Sequence, residues 1–174
     1  LPHKLEASLT LLQRLERIRG EDTPLLVHSD LDLIDSDSTS LGWTYLQRKR
    51  LDPGRTAPEH LVLTNVVTGC TVLLNRALLK TALPIPAEAL MHDWWLAMVA
   101  AGLGELVWVP QATILYRQHG GNTLGANAND PLSQLRYVAA NAGEALARSR
   151  KLLEQLPEAL DLIRTAAQLA GVAE

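Results

Sequence analysis

Residues 24–35 read PLLVHSDLDLID, and this segment constrains the fold more than any other. It opens with three consecutive apolar residues, Leu25, Leu26 and Val27, and then alternates polar with apolar side chains. This pattern predicts a β-strand that is fully buried at its start and half-exposed towards its end. The polar sequence DSDSTS that follows is typical of a turn.

Helical patterns lie on both sides of this strand. Ahead of it, apolar residues recur at steps of three and four and predict one apolar helix face: Leu5, Leu9, Leu12, Leu15 and Ile18. Gly20 is expected to end that helix. Further helices are predicted near Arg76, from residue 92, and from residue 131 to the end of the chain.

Strand-like segments lie between these helices. Two β-rich pieces are predicted on either side of Thr68, Gly69 and Cys70. Residues 105–118 predict another strand, which Pro110 is expected to kink, bulge or place at a sheet edge. Residues 41–60 predict a short helix or flap and then a proline-rich loop. The order of helix, strands, helix, strand and helical tail predicts an α/β or α+β domain.

The composition fits one globular domain. The chain has 174 residues, of which 47% are hydrophobic and 20% charged, and no apolar run is long enough to span a membrane. The net charge is −3 and no cluster of basic residues stands out, which argues against nucleic-acid binding. Cys70 is the only cysteine, so a reducing compartment is expected. The chain begins LPHKLEASL, without an initiator methionine, which predicts a fragment of a longer protein.

An acidic cluster ends the first strand: Asp30, Asp32, Asp35 and Asp37. Clustered carboxylates can hold a hard cation such as Mg²⁺ or Ca²⁺, but the spacing does not match an EF-hand loop. The alternative is that the first two lie on the solvated face of the strand and the last two cap a turn. The spacing favours this second interpretation.

Asn65, Thr68, Gly69 and Cys70 lie in a break between apolar runs. A glycine in such a break would let a ligand or another backbone come close, and a simple bulge or turn explains it equally well. Cys70 has no histidine close in sequence, so a small buried side chain is expected there rather than a nucleophile.

His92 and Asp93 precede two tryptophans at the start of a predicted helix. An aspartate there can be the helix N-cap, with Trp94, Trp95, Met98 and Ala101 in the core. The same position also suits a general base, because a carboxylate at a helix start faces a loop or cleft. The residues alone leave these two interpretations even. An HD-type metal phosphohydrolase is disfavoured, because the other histidines are not on helices.

Arg117, Gln118, His119 and Asn122 follow the last predicted strand and lead into a glycine-rich loop. An arginine and a histidine in such a loop suit contact with a phosphate or a metal ion. A merely solvated polar loop is the alternative.

Taken in order, several of these segments resemble bacterial family 2 glycosyltransferases, particularly the rhamnosyltransferase-like group that builds cell-surface polysaccharides. The segments are LPHKLEASL, PLLVHSDLDLID, LTNVVTGCTVLLNRALL, LPIP and MHDWWLAMVAAGLGELVWVPQATILYRQHGGNTLGA. The resemblance covers residues 1–127 and implies a GT-A fold, with a Rossmann-like mixed sheet flanked by helices. Residues 128–174 would be a helical tail that packs on this domain.

The resemblance also assigns roles to individual residues. Asp93 matches the catalytic base, which would deprotonate the acceptor hydroxyl for an inverting attack on the donor sugar. Thr68 and Gly69 match the acceptor side of the cleft, where His92 and Trp94 are also placed; the separate role of His92 stays unassigned. Arg117, His119 and Asn122 are assigned to the donor, with His119 as a metal ligand. The Gln-x-x-Arg-Trp sequence of processive members is absent, which predicts transfer of a single sugar.

The resemblance implies a nucleotide-sugar donor, a divalent cation (Mg²⁺ or Mn²⁺), and a saccharide or lipid-linked acceptor. The donor-binding half of the enzyme, with its Asp-rich metal motif, is expected to lie upstream of this chain, so the isolated fragment is expected to be inactive. A cytoplasmic location, with peripheral contact at the inner face of the membrane, is expected. The alternative hypothesis is a non-catalytic binding or assembly module that self-associates through an exposed apolar surface.

Overall fold

A computed structural model describes residues 1–61, 64–85, 89 and 91–118. The end of the predicted catalytic domain, residues 119–127, and the predicted helical tail, residues 128–174, lie outside the described residues. The elements in chain order are α1 (Lys4–Arg19), β1 (Leu25–Ile34), β2 (Ser40–Thr44), α2 (Tyr45–Lys49), α3 (Pro58–Leu61), a 3₁₀ turn (Gly69–Thr71), β3 (Leu73–Leu74), α4 (Arg76–Ala82), α5 (His92–Leu103) and β4 (Glu105–Arg117).

The four strands form one mixed sheet around β1. Strand β4 runs parallel to β1 along its whole length, whereas β2 and β3 pair antiparallel with opposite ends of β1. Since β4 takes one edge of β1, the two short strands share the other edge. A central strand paired on both edges agrees with the continuous apolar start of residues 24–35.

Helices cover both faces of the sheet. On one face α1 packs Leu12 and Leu15 against Leu25, Val27 and Val109. On the other face α4 and α5 form the larger core with β1 and β4, in which the buried side chains include Leu26, Leu78, Trp95, Ala97 and Leu106. The predicted α/β class, a Rossmann-like mixed sheet flanked by helices, is therefore confirmed.

The first strand differs from its prediction at its second half. It stays buried to Ile34, and only Asp32 is half-buried. Asp30, expected on a solvated face, is 7% exposed, and its Oδ1 accepts the backbone N–H groups of Leu31 and Leu46 at 2.7 and 3.1 Å. The alternation of charged and apolar residues was misleading because α2 covers this end of the strand and supplies a donor to the buried carboxylate.

Helix α1 ends at Gly20 as predicted, with a φ of 95° at that glycine. Its predicted apolar face is only partly right. Leu12 and Leu15 are buried beside Ser8, but Leu5 is 66% and Ile18 62% exposed. At about 100° per residue, Ile18 lies roughly 120° from the buried Leu12 and so falls off the stripe that contacts the sheet. Leu5 lies within about 20° of Leu12, so its exposure comes from its position in the first turn of the helix and not from the side of the helix that it occupies.

The sequence around Pro110 produces the expected irregularity. His28 of β1 lies opposite Trp108, whereas Asp30 lies opposite Ala112, so β4 carries extra residues between these pairs. Pro110 is exposed within this bulged stretch. A proline has no N–H for the ladder, which explains why the strand bulges at this point.

The two β-rich pieces predicted around Gly69 are wrong in most of their length. Residues 64–68 have no regular structure, residues 69–71 form a 3₁₀ turn, and β3 has only two residues. Val66 and Val67 are buried in the core beneath α5 instead of pairing in the sheet. Their β-propensity is met by packing rather than by a strand, because tertiary contacts override local preference. The segment consequently lies against the start of α5.

Candidate functional site

Asp93 is the second residue of α5, which begins at His92 with Met91 as its N-cap. The prediction that Asp93 itself is the N-cap is therefore wrong by two positions. Its carboxylate still serves the helix start, because Oδ1 accepts the N–H of Trp94 at 2.8 Å. The residue is 7% exposed, so the carboxylate is held at the edge of the core rather than in open solvent.

The loop of residues 64–71 supplies two further donors to this carboxylate. The backbone N–H of Gly69 donates to Oδ2 at 2.8 Å, and the Nδ2 of Asn65 donates to Oδ1 at 3.3 Å. Two segments that lie 24 residues apart in the chain, TGC and HDWW, are thereby brought into contact. Donors from both segments orient an anionic group that would otherwise be costly to bury.

The missing side chain of Gly69 has a specific consequence. A Cβ placed there would lie 2.7 Å from Nε2 of His92 and 3.4 Å from Oδ2 of Asp93. The glycine was expected to let a ligand or another backbone come close, and the group that comes close is the imidazole of His92. His92 itself is exposed, so its ring lies between this glycine and solvent.

Internal hydrogen bonds hold the loop in place. The carbonyl oxygen of Thr68 accepts both the N–H and the hydroxyl of Thr71, at 2.8 and 2.7 Å. The Oδ1 of Asn65 accepts the N–H of Val67 at 2.9 Å while its Nδ2 reaches Asp93. Asn65 was noticed in the sequence as part of the break but was not assigned to the site.

The two tryptophans anchor α5. The Nε1 of Trp95 donates to the carbonyl oxygen of Ala82 at 2.9 Å, and the ring is buried. Trp94 is half-buried, and its Nε1 donates to the carbonyl oxygen of Leu61. The expected core role is confirmed for Trp95, whereas Trp94 lies at the boundary and ties α5 to α3.

Three residues that the sequence did not assign surround this group. Lys4 donates its Nζ to the carbonyl oxygen of Cys70 at 2.7 Å. Cys70 is exposed, so the prediction of a buried side chain is wrong. Burial, then Tyr116, then the charge of Asp93 raise the pKa of the Tyr45 phenol. The Cys70 residue is exposed but its thiol is partly shielded from water; this shielding and, more weakly, Asp93 raise the pKa of the thiol, and the charge of Lys4 lowers it. A protonated thiol is a poor nucleophile.

The remaining predicted site residues are not drawn together with Asp93. The guanidinium of Arg117, at the end of β4, donates to the carbonyl oxygens of Asp35 and Ser36 and to the hydroxyl of Ser38. Asp35 caps this turn as expected, because its Oδ1 accepts the N–H groups of residues 37 and 39. His119 and Asn122 lie outside the described residues. Across residues 1–61, 64–85, 89 and 91–118, no group of three or more His, Cys, Asp or Glu side chains is placed to hold a metal ion.

A shallow depression of about 510 Å³ lies between α1 and β4. It is lined by residues that include His3, Glu6, Arg14 and Gln111, and it shares none of the residues that contact Asp93. The Asp93 carboxylate is the better candidate site, because it is buried and accepts hydrogen bonds from Gly69, Asn65 and Trp94. Within the same described part of the chain, no helix is long and apolar enough to cross a bilayer.

Comparison of the chain with family models, curated proteins and solved structures finds no match. The function must therefore be inferred from the contacts of the residues themselves and from the order of their motifs.

Proposed function

We propose that this chain is the acceptor-side part of an inverting glycosyltransferase of GT-A type, in which Asp93 deprotonates the acceptor hydroxyl. The observation that carries the proposal is the 2.8 Å hydrogen bond from the Gly69 N–H to Oδ2 of Asp93. It joins the two segments that the sequence resemblance assigns to the acceptor side of the cleft. The Rossmann-like arrangement of the sheet and its helices supports the same assignment.

The surroundings of the carboxylate suit a base with a fixed direction. Oδ1 accepts two hydrogen bonds, from Asn65 and from the N–H of Trp94. Among the described residues, Oδ2 accepts only the Gly69 N–H, so one of its lone pairs remains for an acceptor hydroxyl. Because Gly69 has no Cβ, its N–H reaches Oδ2 while the imidazole of His92 packs beside it. A base must come within hydrogen-bonding distance of the proton that it removes.

In the proposed reaction, the acceptor hydroxyl donates its proton to Oδ2 of Asp93 while its oxygen attacks the anomeric carbon of a nucleotide sugar. The bond between that carbon and the diphosphate oxygen breaks, and the nucleoside diphosphate leaves with the electron pair. Attack from the opposite face inverts the anomeric configuration. His92, whose ring lies beside Gly69, is proposed to contact the acceptor.

The nucleotide-sugar donor and a Mg²⁺ or Mn²⁺ ion belong to this proposal through the sequence resemblance. The described residues do not supply a metal-ligand cluster, so no step is assigned to a metal here. Arg117, His119 and Asn122 are proposed to serve the donor side in the complete protein. A cytoplasmic location with a saccharide or lipid-linked acceptor is part of the same proposal.

The direct test is Asp93→Asn in the complete gene product. Transfer to the acceptor is expected to fall by about 10²- to 10⁴-fold, with little change in donor affinity. The asparagine side chain has one oxygen and one NH2 group. If its oxygen keeps the two hydrogen bonds that Oδ1 accepts, its NH2 group faces the Gly69 N–H and cannot accept a hydrogen bond from it. A loss of about 1–3 kcal/mol in unfolding free energy is therefore expected as well, and it must be measured alongside.

Asn65→Ala provides the matched control. It also removes a hydrogen bond from the Asp93 carboxylate, but it leaves the carboxylate itself. Transfer is expected to fall by less than about tenfold. If Asn65→Ala and Asp93→Asn reduce the transfer rate equally, Asp93 is a structural tie between the loop and α5, and the proposed role is wrong.

The alternative of a self-associating module has one observation in its favour. Leu5 and Leu9 are 66% and 46% exposed on neighbouring turns of α1. Apolar side chains exposed together in this way favour association. Sedimentation of the purified 174-residue chain tests this: a shift to dimers with rising concentration supports the module, and a monomer at every concentration contradicts it. The glycosyltransferase proposal additionally expects this isolated chain to be inactive.

A further inference from the structure

Asp30 of β1 is a buried carboxylate that uses only one of its two oxygens within the fold. Its Oδ1 accepts the N–H groups of Leu31 and Leu46, and the residue is 7% exposed. Its Oδ2 accepts no hydrogen bond from the described residues, and this oxygen is not fully buried. An asparagine oxygen would serve both N–H groups equally well. The fold therefore accounts for Oδ1 of Asp30, but not for the second oxygen or for the negative charge.

No lysine or arginine in the described part of the chain forms an ion pair with Asp30. Lys4 gives its Nζ to the carbonyl oxygen of Cys70 instead. His28, two residues before Asp30 on the same face of β1, is 0% exposed, and neither of its ring nitrogens has a partner among the described residues. Burial lowers the pKa of His28 to about 4, so its ring is neutral at pH 7 and is no counter-ion. A buried carboxylate without a cation is costly unless hydrogen-bond donors reach it.

The start of α5, with Asp93, lies over the same face of the sheet as Asp30. Side chains of a strand alternate between its two faces, so Asp30 shares its face with Leu26, which packs in the core with α5. Helix α5 leads into β4, which runs parallel to β1, so α5 runs in the opposite direction to β1. A helix of 12 residues is about 18 Å long, which is the length of about five residues of strand. The first turn of α5 therefore lies at about the level of residue 30.

The loop before β3 places Asp93 at the same level by a second route. Strand β3 pairs antiparallel with β1, and Leu73 lies opposite Val27. Residues before Leu73 therefore lie beside later residues of β1, and Gly69 comes within about one residue of the level of Asp30. The N–H of Gly69 donates to Oδ2 of Asp93 at 2.8 Å. Both routes bring the two carboxylates to the same end of the same face.

Tyr45 lies close to both carboxylates. It directly precedes Leu46, whose N–H binds Asp30, and it is half-buried. Burial first, then Tyr116 and then Asp93, raise the pKa of the Tyr45 phenol, so the ring is within electrostatic reach of Asp93. The phenol makes no hydrogen bond with the described residues. Its ring offers an apolar face and a polar hydroxyl, which together suit contact with a molecule that has both kinds of surface.

A cation is the alternative ligand for neighbouring carboxylates. Asp32 lies two residues beyond Asp30 on the same face of β1 and is half-buried. Within residues 1–61, 64–85, 89 and 91–118, however, no three His, Cys, Asp or Glu side chains are placed to share a cation. A carboxylate also accepts hydrogen bonds from hydroxyl groups, and a sugar ring presents several of these. The arrangement therefore favours the hydroxyl groups of a sugar as the partners of Asp30.

We propose that Oδ2 of Asp30 accepts a hydrogen bond from a second hydroxyl of the acceptor, while Oδ2 of Asp93 takes the proton of the attacking hydroxyl. The acceptor group is then a sugar ring with at least two free hydroxyls, and a lipid-linked acceptor must end in such a sugar. The ring of Tyr45 packs against the apolar C–H face of that sugar. This inference rests on the proposed function, because it takes the acceptor to be the molecule that Asp93 deprotonates.

Saturation-transfer NMR on the 174-residue chain tests sugar binding without requiring transfer. The probes are the methyl glycosides of glucose, galactose, mannose and rhamnose, and the unchanged chain is expected to bind at least one of them. Asp30→Asn keeps an oxygen for the N–H groups that Oδ1 accepts, and it should bind that glycoside about 10- to 100-fold more weakly. The matched control is Asp52→Asn, which removes an exposed carboxylate that accepts the N–H of Gly54 and should bind as the unchanged chain does.

Glycosides that each lack one hydroxyl identify the group that Asp30 binds. One of these deoxy forms should bind the unchanged chain about tenfold more weakly than the parent glycoside, whereas Asp30→Asn should bind the two equally. In the unchanged chain labelled with ¹³C, the Cγ signal of Asp30 should move on addition of the parent glycoside and stay in place with that deoxy form. This last measurement needs no substitution, so it decides the question even if Asp30→Asn does not fold.

Three results would overturn the role of Asp30: no binding of any glycoside by the unchanged chain, equal losses in Asp30→Asn and Asp52→Asn, or an equal deoxy penalty with and without the carboxylate. The proposed function is tested separately, by transfer in the complete gene product. If transfer depends on Asp93 but glycoside binding does not depend on Asp30, only this inference fails. If glycoside binding depends on Asp30 but transfer does not depend on Asp93, Asp30 remains a sugar ligand and the proposed catalytic role fails.

Discussion

His28 makes a specific prediction about stability in acid. Its side chain is 0% exposed on β1, opposite Trp108 of β4. Neither ring nitrogen has a hydrogen-bond partner in the described part of the chain. Burial lowers the pKa of His28 from 6.5 to about 4, and the charge of Asp30 opposes this only partly. The folded protein therefore keeps the imidazole neutral at a pH where the unfolded chain binds a proton.

The size of the effect follows from the pKa values. Each tenfold change in proton affinity corresponds to about 1.4 kcal/mol, so a pKa lowered from 6.5 to about 4 is worth about 3 kcal/mol in total. Because the unfolded state binds the additional proton, the unfolding free energy decreases as the pH falls from about 6.5 and levels off below about 4. Between pH 7 and pH 5 the expected loss from His28 is about 2 kcal/mol.

Urea unfolding at pH 7 and pH 5 measures this loss. In His28→Leu, the leucine has about the volume of the histidine that it replaces but no titratable group. Between pH 7 and pH 5, the unfolding free energy of this variant should therefore decrease by about 2 kcal/mol less than that of the unchanged chain. The same substitution at the exposed His60 is the control and should leave the pH dependence of the unchanged chain intact. If His28→Leu loses as much stability between pH 7 and pH 5 as the unchanged chain, the buried neutral imidazole is not the cause.

Two further substitutions test the packing that positions the site. Gly104→Ala would place a Cβ 1.8 Å from the carbonyl oxygen of Pro24 and should lower the unfolding free energy by roughly 2–4 kcal/mol in thermal unfolding. The control is Gly102→Ala, whose Cβ meets no atom within 4 Å and which should be neutral or stabilising by up to about 1 kcal/mol. Equal effects of the two substitutions would contradict the close approach of Gly104 to Pro24. Asn75→Ala removes the Oδ1 that accepts the N–H groups of Leu25 and of the first turn of α4, and should cost about 2–3 kcal/mol in urea unfolding. A loss below about 0.5 kcal/mol would show that these donors find other partners.

The order of α1, β1, α4, α5 and β4 could be predicted because it depends on local periodicity, whereas β2 falls in residues that were expected to form a turn and a short helix or flap. The apolar start of residues 24–35 and the stop at Gly20 are read from neighbouring residues, and both are confirmed. The burial of Asp30 and the exposure of Leu5 could not be predicted. Both depend on which element covers which face, and that is decided by contacts between distant parts of the chain.

The candidate site was predictable residue by residue but not as a group. Asp93 and Gly69 each stood out, one as a carboxylate at a helix start and the other as a glycine in a break. Their hydrogen bond depends on the path of residues 64–68, which were expected to form a strand. Asn65 joins the group only because that path is irregular. The exposed Cys70 has the same cause, since the 3₁₀ turn directs it away from the core.

The central claim is that Asp93 acts by removing a proton from the acceptor, and a nucleophile that needs no deprotonation tests it most directly. In the complete gene product, with the nucleotide sugar that supports transfer, Asp93→Ala should lower transfer to the hydroxyl acceptor by at least about 100-fold. Adding azide should let the same variant form the glycosyl azide of inverted configuration as fast as the unchanged enzyme does. Loss of both reactions in Asp93→Ala, or retention of both, would contradict the role of Asp93 as the base.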